Sequence, residues 1–219
     1  MMTSFGLMRE NMIDGQVLPS QIKNRKLVAA MSEIPREVFV AEDQKSYAYS
    51  DKDVEIGVGR FLMEPRVLAG LVQALSPTPE DVGLDVGCGT GYGMVVLSKL
   101  CSTVVGIESD PELMEKASTL LSHLEIDNAV AVHGTLCDGC LSEAPYDVVL
   151  MEGSVPEMPE GILEQLSDGG RMAAVLNQGP GLYEATLITR VGESFGSRVL
   201  FNSAAPALPG FDIAPIFAF

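Results

Sequence analysis

The run Val82-Gly-Leu-Asp85-Val86, followed by Gly87-Cys88-Gly89-Thr-Gly91-Tyr92-Gly93 and the apolar stretch Met94-Val-Val-Leu97, constrains the fold more than any other part of the chain. A short buried strand that enters a glycine loop and then a helix opens a β-α-β unit. Glycines at that turn let the backbone approach a ligand at the strand's carboxyl end. The next apolar run, Thr103-Val-Val-Gly-Ile107, ends in Glu108-Ser109, and Asp110-Pro111-Glu112 reads as a helix start with a cap, a first-turn proline and an acid at the positive end. Residues 129–132, 147–151 and 172–176 read as further strands, with a helix over 159–166 that stops at Asp168-Gly169-Gly170. Such alternation predicts an α/β fold with a parallel, doubly wound sheet. Two β-like runs in the tail, 197–201 and 216–219, predict an antiparallel hairpin at the sheet edge.

The glycine spacing selects among ligands. Dinucleotide binding asks for G-x-G-x-x-G, but counting from Gly87 the last position is Tyr92, and from Gly89 it is Met94. The sequence carries G-x-G-x-G instead, directly after the acidic Asp85, which disfavours a pyrophosphate neighbour. S-adenosylmethionine has a sulfonium and an ammonium, so nearby carboxylates are favourable. Glu108, about twenty residues past the loop, is placed to accept hydrogen bonds from both ribose hydroxyls. Strand, loop, helix, strand and acid in this order predict S-adenosylmethionine as cofactor.

The rest of the first third is Pro-punctuated and reads as helical. Ser20 can cap a helix through Leu27–Met31 that stops before Ile34-Pro35. Pro65 can open another, with Leu68, Leu71, Val72 and Leu75 on one face and Ser76-Pro-Thr-Pro79 as its end. The net charge of −16 argues against a nucleic-acid partner, whose phosphates this chain would repel. That charge is uneven: residues 1–66 hold nine basic and ten acidic side chains, the remainder five and twenty. An anionic substrate is therefore better received by the N-terminal part. With 47% hydrophobic residues the chain can bury a sizeable core, and no apolar run reaches the roughly 18 residues of a membrane span. The first ten residues lack the apolar stretch of a secretory signal, so a cytoplasmic location is expected. Cys137-Asp-Gly-Cys140 is the only C-x-x-C; with no second pair to complete four ligands, it is expected to be a loop with free thiols and no metal.

Met31-Ser-Glu-Ile-Pro-Arg-Glu-Val-Phe-Val40, Ala48-Tyr-Ser-Asp51, Ile56-Gly-Val-Gly59, Pro65, the glycine loop, Gly139, Ala144-Pro-Tyr-Asp147, Gln165-Leu166 and Gly169-Gly170 together resemble the protein-L-isoaspartate O-methyltransferase family over nearly the whole chain. The resemblance implies a seven-stranded Rossmann-like sheet, with residues 1–80 as an N-terminal helical subdomain carrying the acceptor loop and 81–219 as the cofactor domain. It also implies methyl esterification of an isoaspartyl α-carboxylate in a damaged protein or peptide. The family's acceptor loop continues Gln-Thr-Ile-Ser-x-Pro, whereas here the positions read Arg60-Phe61-Leu62-Met63-Glu64-Pro65. Both hydroxyls are lost, and Arg60 is the residue able to grip a carboxylate in their place. Arg60, Met63 and Glu152 are thus expected at the methyl-transfer site. Asp85, Gly87, Cys88, Gly89, Gly91, Tyr92, Glu108 and Ser109 are expected around the cofactor. They are joined by Thr135 and Leu136, which stand where the family has an Asp-Gly facing the adenine. Two alternatives remain: a diverged methyltransferase acting on another acceptor, such as a small molecule, and a non-catalytic S-adenosylmethionine-binding protein.

Overall fold

The computed structural model describes residues 4–211. From the N-terminus come α1 (Ser4–Met12), α2 (Arg25–Glu33), the short strands β1 (Val54–Gly57) and β2 (Arg60–Leu62), and α3 (Pro65–Leu75). They are followed by β3 (Val82–Val86), α4 (Tyr92–Ser98), β4 (Thr103–Glu108), α5 (Pro111–His123), β5 (Ala129–His133) and β6 (Tyr146–Val155). The last elements are α6 (Glu160–Leu163), β7 (Leu166–Asn177), β8 (Tyr183–Val191) and β9 (Ser194–Asn202).

Seven strands form one sheet in the order β5-β4-β3-β6-β7-β8-β9, parallel from β5 through β7 and antiparallel from β7 to β9. The expected α/β architecture is therefore present. Parallel strands covered on both faces must be apolar on both, and β6 shows it: Val148 and Leu150 join one core cluster, Val149 and Met151 the other. The first cluster packs α1, α2, α3 and α4 against the sheet; the second holds Ile162 of α6 and Leu208. The chain leaves β3 towards β4 and leaves β6 towards β7, so the sheet's order reverses between β3 and β6. A crevice for ligands opens at that point, at the carboxyl ends of the strands.

Several details differ from the sequence reading. The cap of α2 is Asn24, whose side chain accepts from Lys26 N and Leu27 N, while Ser20 Oγ donates to the Gln16 carbonyl. The edge hairpin exists, but the partner of 197–201 is β8; residues 216–219 lie outside the described part of the chain. The helix expected over 159–166 ends at Leu163, because Leu166 already pairs with Tyr146 of β6 and Tyr146 N donates to the Gln165 carbonyl. The N-terminal region also contains an antiparallel pair, β1–β2, within what reads as helical sequence.

Candidate active site

The turn between β3 and α4 holds three glycines with positive φ: Gly87 at 74°, Gly89 at 56° and Gly91 at 93°. Gly87 N and Cys88 N both donate to the Ile107 carbonyl of β4, which ties the loop to the neighbouring strand end. Three side chains lie over the loop. A Cβ at Gly87 would come within 2.7 Å of Leu208 and 2.8 Å of the Arg60 guanidinium, and a Cβ at Gly89 within 2.5 Å of Ile56. Glycine is thus required by φ and by this close approach together.

Glu108, at the end of β4, is completely buried. Its Oε2 accepts from Gly89 N at 2.8 Å, and its Oε1 from Ser109 N at 2.8 Å and Asp110 N at 3.1 Å. Arg60, 3% exposed on β2, donates through Nη2 to Glu108 Oε2 at 3.0 Å and to the Gly87 carbonyl at 2.6 Å. The arginine expected to face an acceptor is therefore lodged on the carboxylate expected to hold the ribose.

Beside this pair lie two more buried carboxylates, Asp85 from β3 and Glu152 from β6. Both reach over the start of α4, where a Cβ on Gly93 would collide with the two carboxylates. Burial pushes the Glu152 carboxyl up to about 7, and burial with the neighbouring Glu152 pushes Asp85 well above the usual carboxylate range. Among the described residues neither oxygen of Asp85 finds a hydrogen-bond partner, nor do Glu152 Oε1, Ser154 Oγ and Tyr92 Oη. At neutral pH this pair therefore retains protons.

The remaining expected residues divide by location. Met63 is buried in the first core cluster, and its carbonyl accepts from the fully buried Arg36. Tyr92 points into the same core, edge-on to Phe39 with ring centroids 5.3 Å apart and beneath the Arg36 guanidinium at 4.6 Å. Cys88 is likewise buried there. Leu136 is buried in the second cluster, while Thr135 is exposed just after Gly134, whose N–H donates to the Glu108 carbonyl. Arg36, Ile56 and Leu208 were not foreseen. Arg36 carried a signal, its place in the Pro35-Arg36-Glu37 stretch of the segment that bears the family resemblance; a lone Ile or Leu carries none.

Cys137 and Cys140 are unpaired, and their loop is braced by buried Gln165, which donates to the Asp138 and Gly161 carbonyls and accepts from Cys140 N. Among the described residues no cluster of three His, Cys, Asp or Glu side chains is arranged for a metal ion, and no helix is long and apolar enough to cross a membrane.

A model of the protein-L-isoaspartate(D-aspartate) O-methyltransferase family matches residues 8–195. The chain belongs to that family. It is 36% identical over 171 residues to a protein-L-isoaspartate O-methyltransferase of Koribacter versatilis, covering 78% of this chain and 77% of that one. A relative of the same name from Halorhodospira halophila is 34% identical over 205 residues, 92% of each. Among solved structures, a protein-L-isoaspartate O-methyltransferase superposes with TM-score 0.81 at 24% identity, covering 92% of this chain and 66% of that longer one. A second, described as a putative member from Plasmodium falciparum in complex with S-adenosyl-L-homocysteine, gives TM-score 0.77 at 19% identity and covers 94% and 99%. These two likenesses concern the fold. The family's members are S-adenosylmethionine-dependent O-methyltransferases. The residues here fit that cofactor in kind: a positive-φ glycine loop and a carboxylate at the end of the second parallel strand.

Proposed function

We propose that this chain uses S-adenosylmethionine to methylate a carboxylate, the acceptor being an isoaspartyl residue in a protein or peptide. The observation that carries the reading is the buried Arg60–Glu108 pair at the glycine loop, which puts a carboxylate for the ribose and a cation for an acceptor carboxylate within one site. The cofactor, when bound, supplies an electrophilic methyl group on a sulfonium.

In this reading the chain contributes position and dryness. Glu108 and the loop amides hold the cofactor, Ser109, Thr135 and Leu136 border its base, and Arg60 orients the acceptor by a forked pair of hydrogen bonds. A carboxylate acceptor is already a nucleophile, so no general base is needed and the absent hydroxyls are not essential. Leu208 and Ile56, which lie over the glycine loop, keep water out. Glu152 and Asp85, partly protonated, lower the negative charge that an incoming carboxylate meets. Repair of damaged protein in the cytoplasm is the role we attach to this chemistry.

A second reading, transfer to a small carboxylate, draws on the two hydroxyls missing from the acceptor loop, where Phe61 and Met63 stand. A tritiated methyl-transfer assay separates the readings. Base-labile counts on an isoaspartyl peptide and none on its aspartyl twin are expected; counts appearing only with a small-molecule extract would replace the first reading by the second. No transfer to any acceptor would leave a binding protein.

A further inference from the structure

The two roles assigned above to Arg60 and Glu108 are incompatible in the arrangement observed. A carboxylate has about four acceptor positions. On Glu108 the amides of Gly89, Ser109 and Asp110 and Arg60 Nη2 take up these positions, and Arg60 Nε and Ser109 Oγ crowd the two oxygens further at 3.4 Å. The group is fully buried, so nothing remains for a ribose hydroxyl. The amides belong to the loop and to the start of α5 and are fixed by the fold. Arg60 is the partner that can leave.

Its element suits that movement. Arg60 stands on β2, whose strand partner among the described residues is β1; Val54 and Leu62 anchor one end of this short pair in the first core cluster, which leaves the turn end as the part that can move. The turn between them exposes Val58 almost completely and places Gly59 at a φ of 67°. Ile56 from the same pair lies over Gly89, and Leu208 lies over Gly87 beside Arg60. Lifting the turn end of the β1–β2 pair would uncover the loop and release Glu108 in one motion. The released guanidinium then stands beside Asp85 and Glu152, which retain protons, so an acceptor's carboxylate is the anion left for it to pair with.

We infer that Arg60 is a two-position side chain that enforces binding order: on Glu108 it excludes the ribose, and once displaced by the ribose it becomes the receptor for the acceptor's carboxylate. The inference rests on the reading of Glu108 as the ribose holder. Cofactor binds first, acceptor second, and each step competes with or depends on the same guanidinium.

The test is calorimetric titration of the full chain with S-adenosylhomocysteine. Arg60→Met keeps the side chain's length and removes the competitor, so affinity should rise about tenfold. Arg60→Lys, which keeps the charge but loses the fork, should fall between Met and wild type, and it serves if the Met variant does not fold. In a Glu108→Ala background the Arg60→Met change should alter affinity less than about twofold, a coupling that a merely structural arginine would not show. An isoaspartyl peptide should bind wild type more tightly with S-adenosylhomocysteine present than without it, and this difference should vanish in Arg60→Met. Folded Arg60 variants that bind S-adenosylhomocysteine no more tightly than wild type overturn the inference alone. No binding by wild type or variants overturns it together with the proposed function.

Discussion

Two buried carboxylates sit side by side because residue 93 has no side chain. With a Cβ there, Glu152 and Asp85 could not both reach over the start of α4. Holding them away from water makes their ionised forms costly, which is why Glu152 is raised to about 7 and Asp85 rises with it. A raised carboxyl retains its proton in the fold at pH values where the unfolded chain has released it. The unfolded state then binds fewer protons, and stability falls as pH rises from the ordinary carboxylate value to the folded one. For Glu152 the window runs from 4.5 to about 7. A shift of that size corresponds to about 3 kcal/mol, fully present below the window and lost above it. Urea titrations at pH 5 and pH 7.5 should show the wild type less stable at the higher pH, with Glu152→Gln, a permanent mimic of the protonated acid, flattening the difference. Equal slopes with pH in wild type and Glu152→Gln would mean that Glu152 is ionised throughout.

Single elements here are secured by side chains that replace missing backbone partners. Gln165 is the clearest case: it closes the short α6, the 136–138 turn and the Cys137–Cys140 loop with three hydrogen bonds, and Gly139 leaves room for it. Gln165→Ala should leave those buried groups unpaired and cost about 2–4 kcal/mol, read as a lower denaturation midpoint with an unchanged m-value. A loss below about 0.5 kcal/mol would show that the loop finds other partners. Gln165 also explains a limit of the sequence reading. The run 159–166 has helical apolar spacing, yet Leu166 is claimed by strand pairing with Tyr146, a contact that local periodicity does not encode. The strands of the parallel sheet were legible because burial on both faces leaves continuous apolar runs, and Asp110 was legible as a cap because its side chain accepts from Glu112 N and Leu113 N. The β1–β2 pair was hidden: four and three residues with only Val58 and Gly59 between them form no period. Likewise Glu108 and the glycine loop announce themselves, whereas Ile56, Arg60 and Leu208 meet over that loop only through tertiary folding.

At the scale of the whole molecule the site joins two regions of different charge. Arg36 and Arg60 come from the nearly neutral first 66 residues, while Glu108, Asp85 and Glu152 come from a remainder with twenty acidic and five basic side chains. Inside, charges largely cancel: two guanidinium groups face three carboxyls, of which the Asp85–Glu152 pair retains protons. The chain's formal net charge of −16 is therefore carried almost entirely by the other side chains and sets the approach of any acceptor. Under the proposed function an isoaspartyl carboxylate enters against that field, so the rest of a peptide decides how readily it arrives. Flanking lysines should help and flanking glutamates hinder, through contacts that are exposed and therefore screened by salt. At low ionic strength an isoaspartyl peptide flanked by lysines should have a KM about three- to tenfold below that of a glutamate-flanked twin, and the two should converge near 0.5 M salt, where the Debye length shrinks to about 4 Å. kcat should differ little, because the flanking charges lie outside the dry site where the methyl group moves. A salt-independent preference would place the discrimination in direct contacts at the acceptor cleft, and a preference for the acidic peptide would mean that the acceptor enters over the N-terminal region, where Arg9, Lys23, Arg25 and Lys26 gather in the sequence.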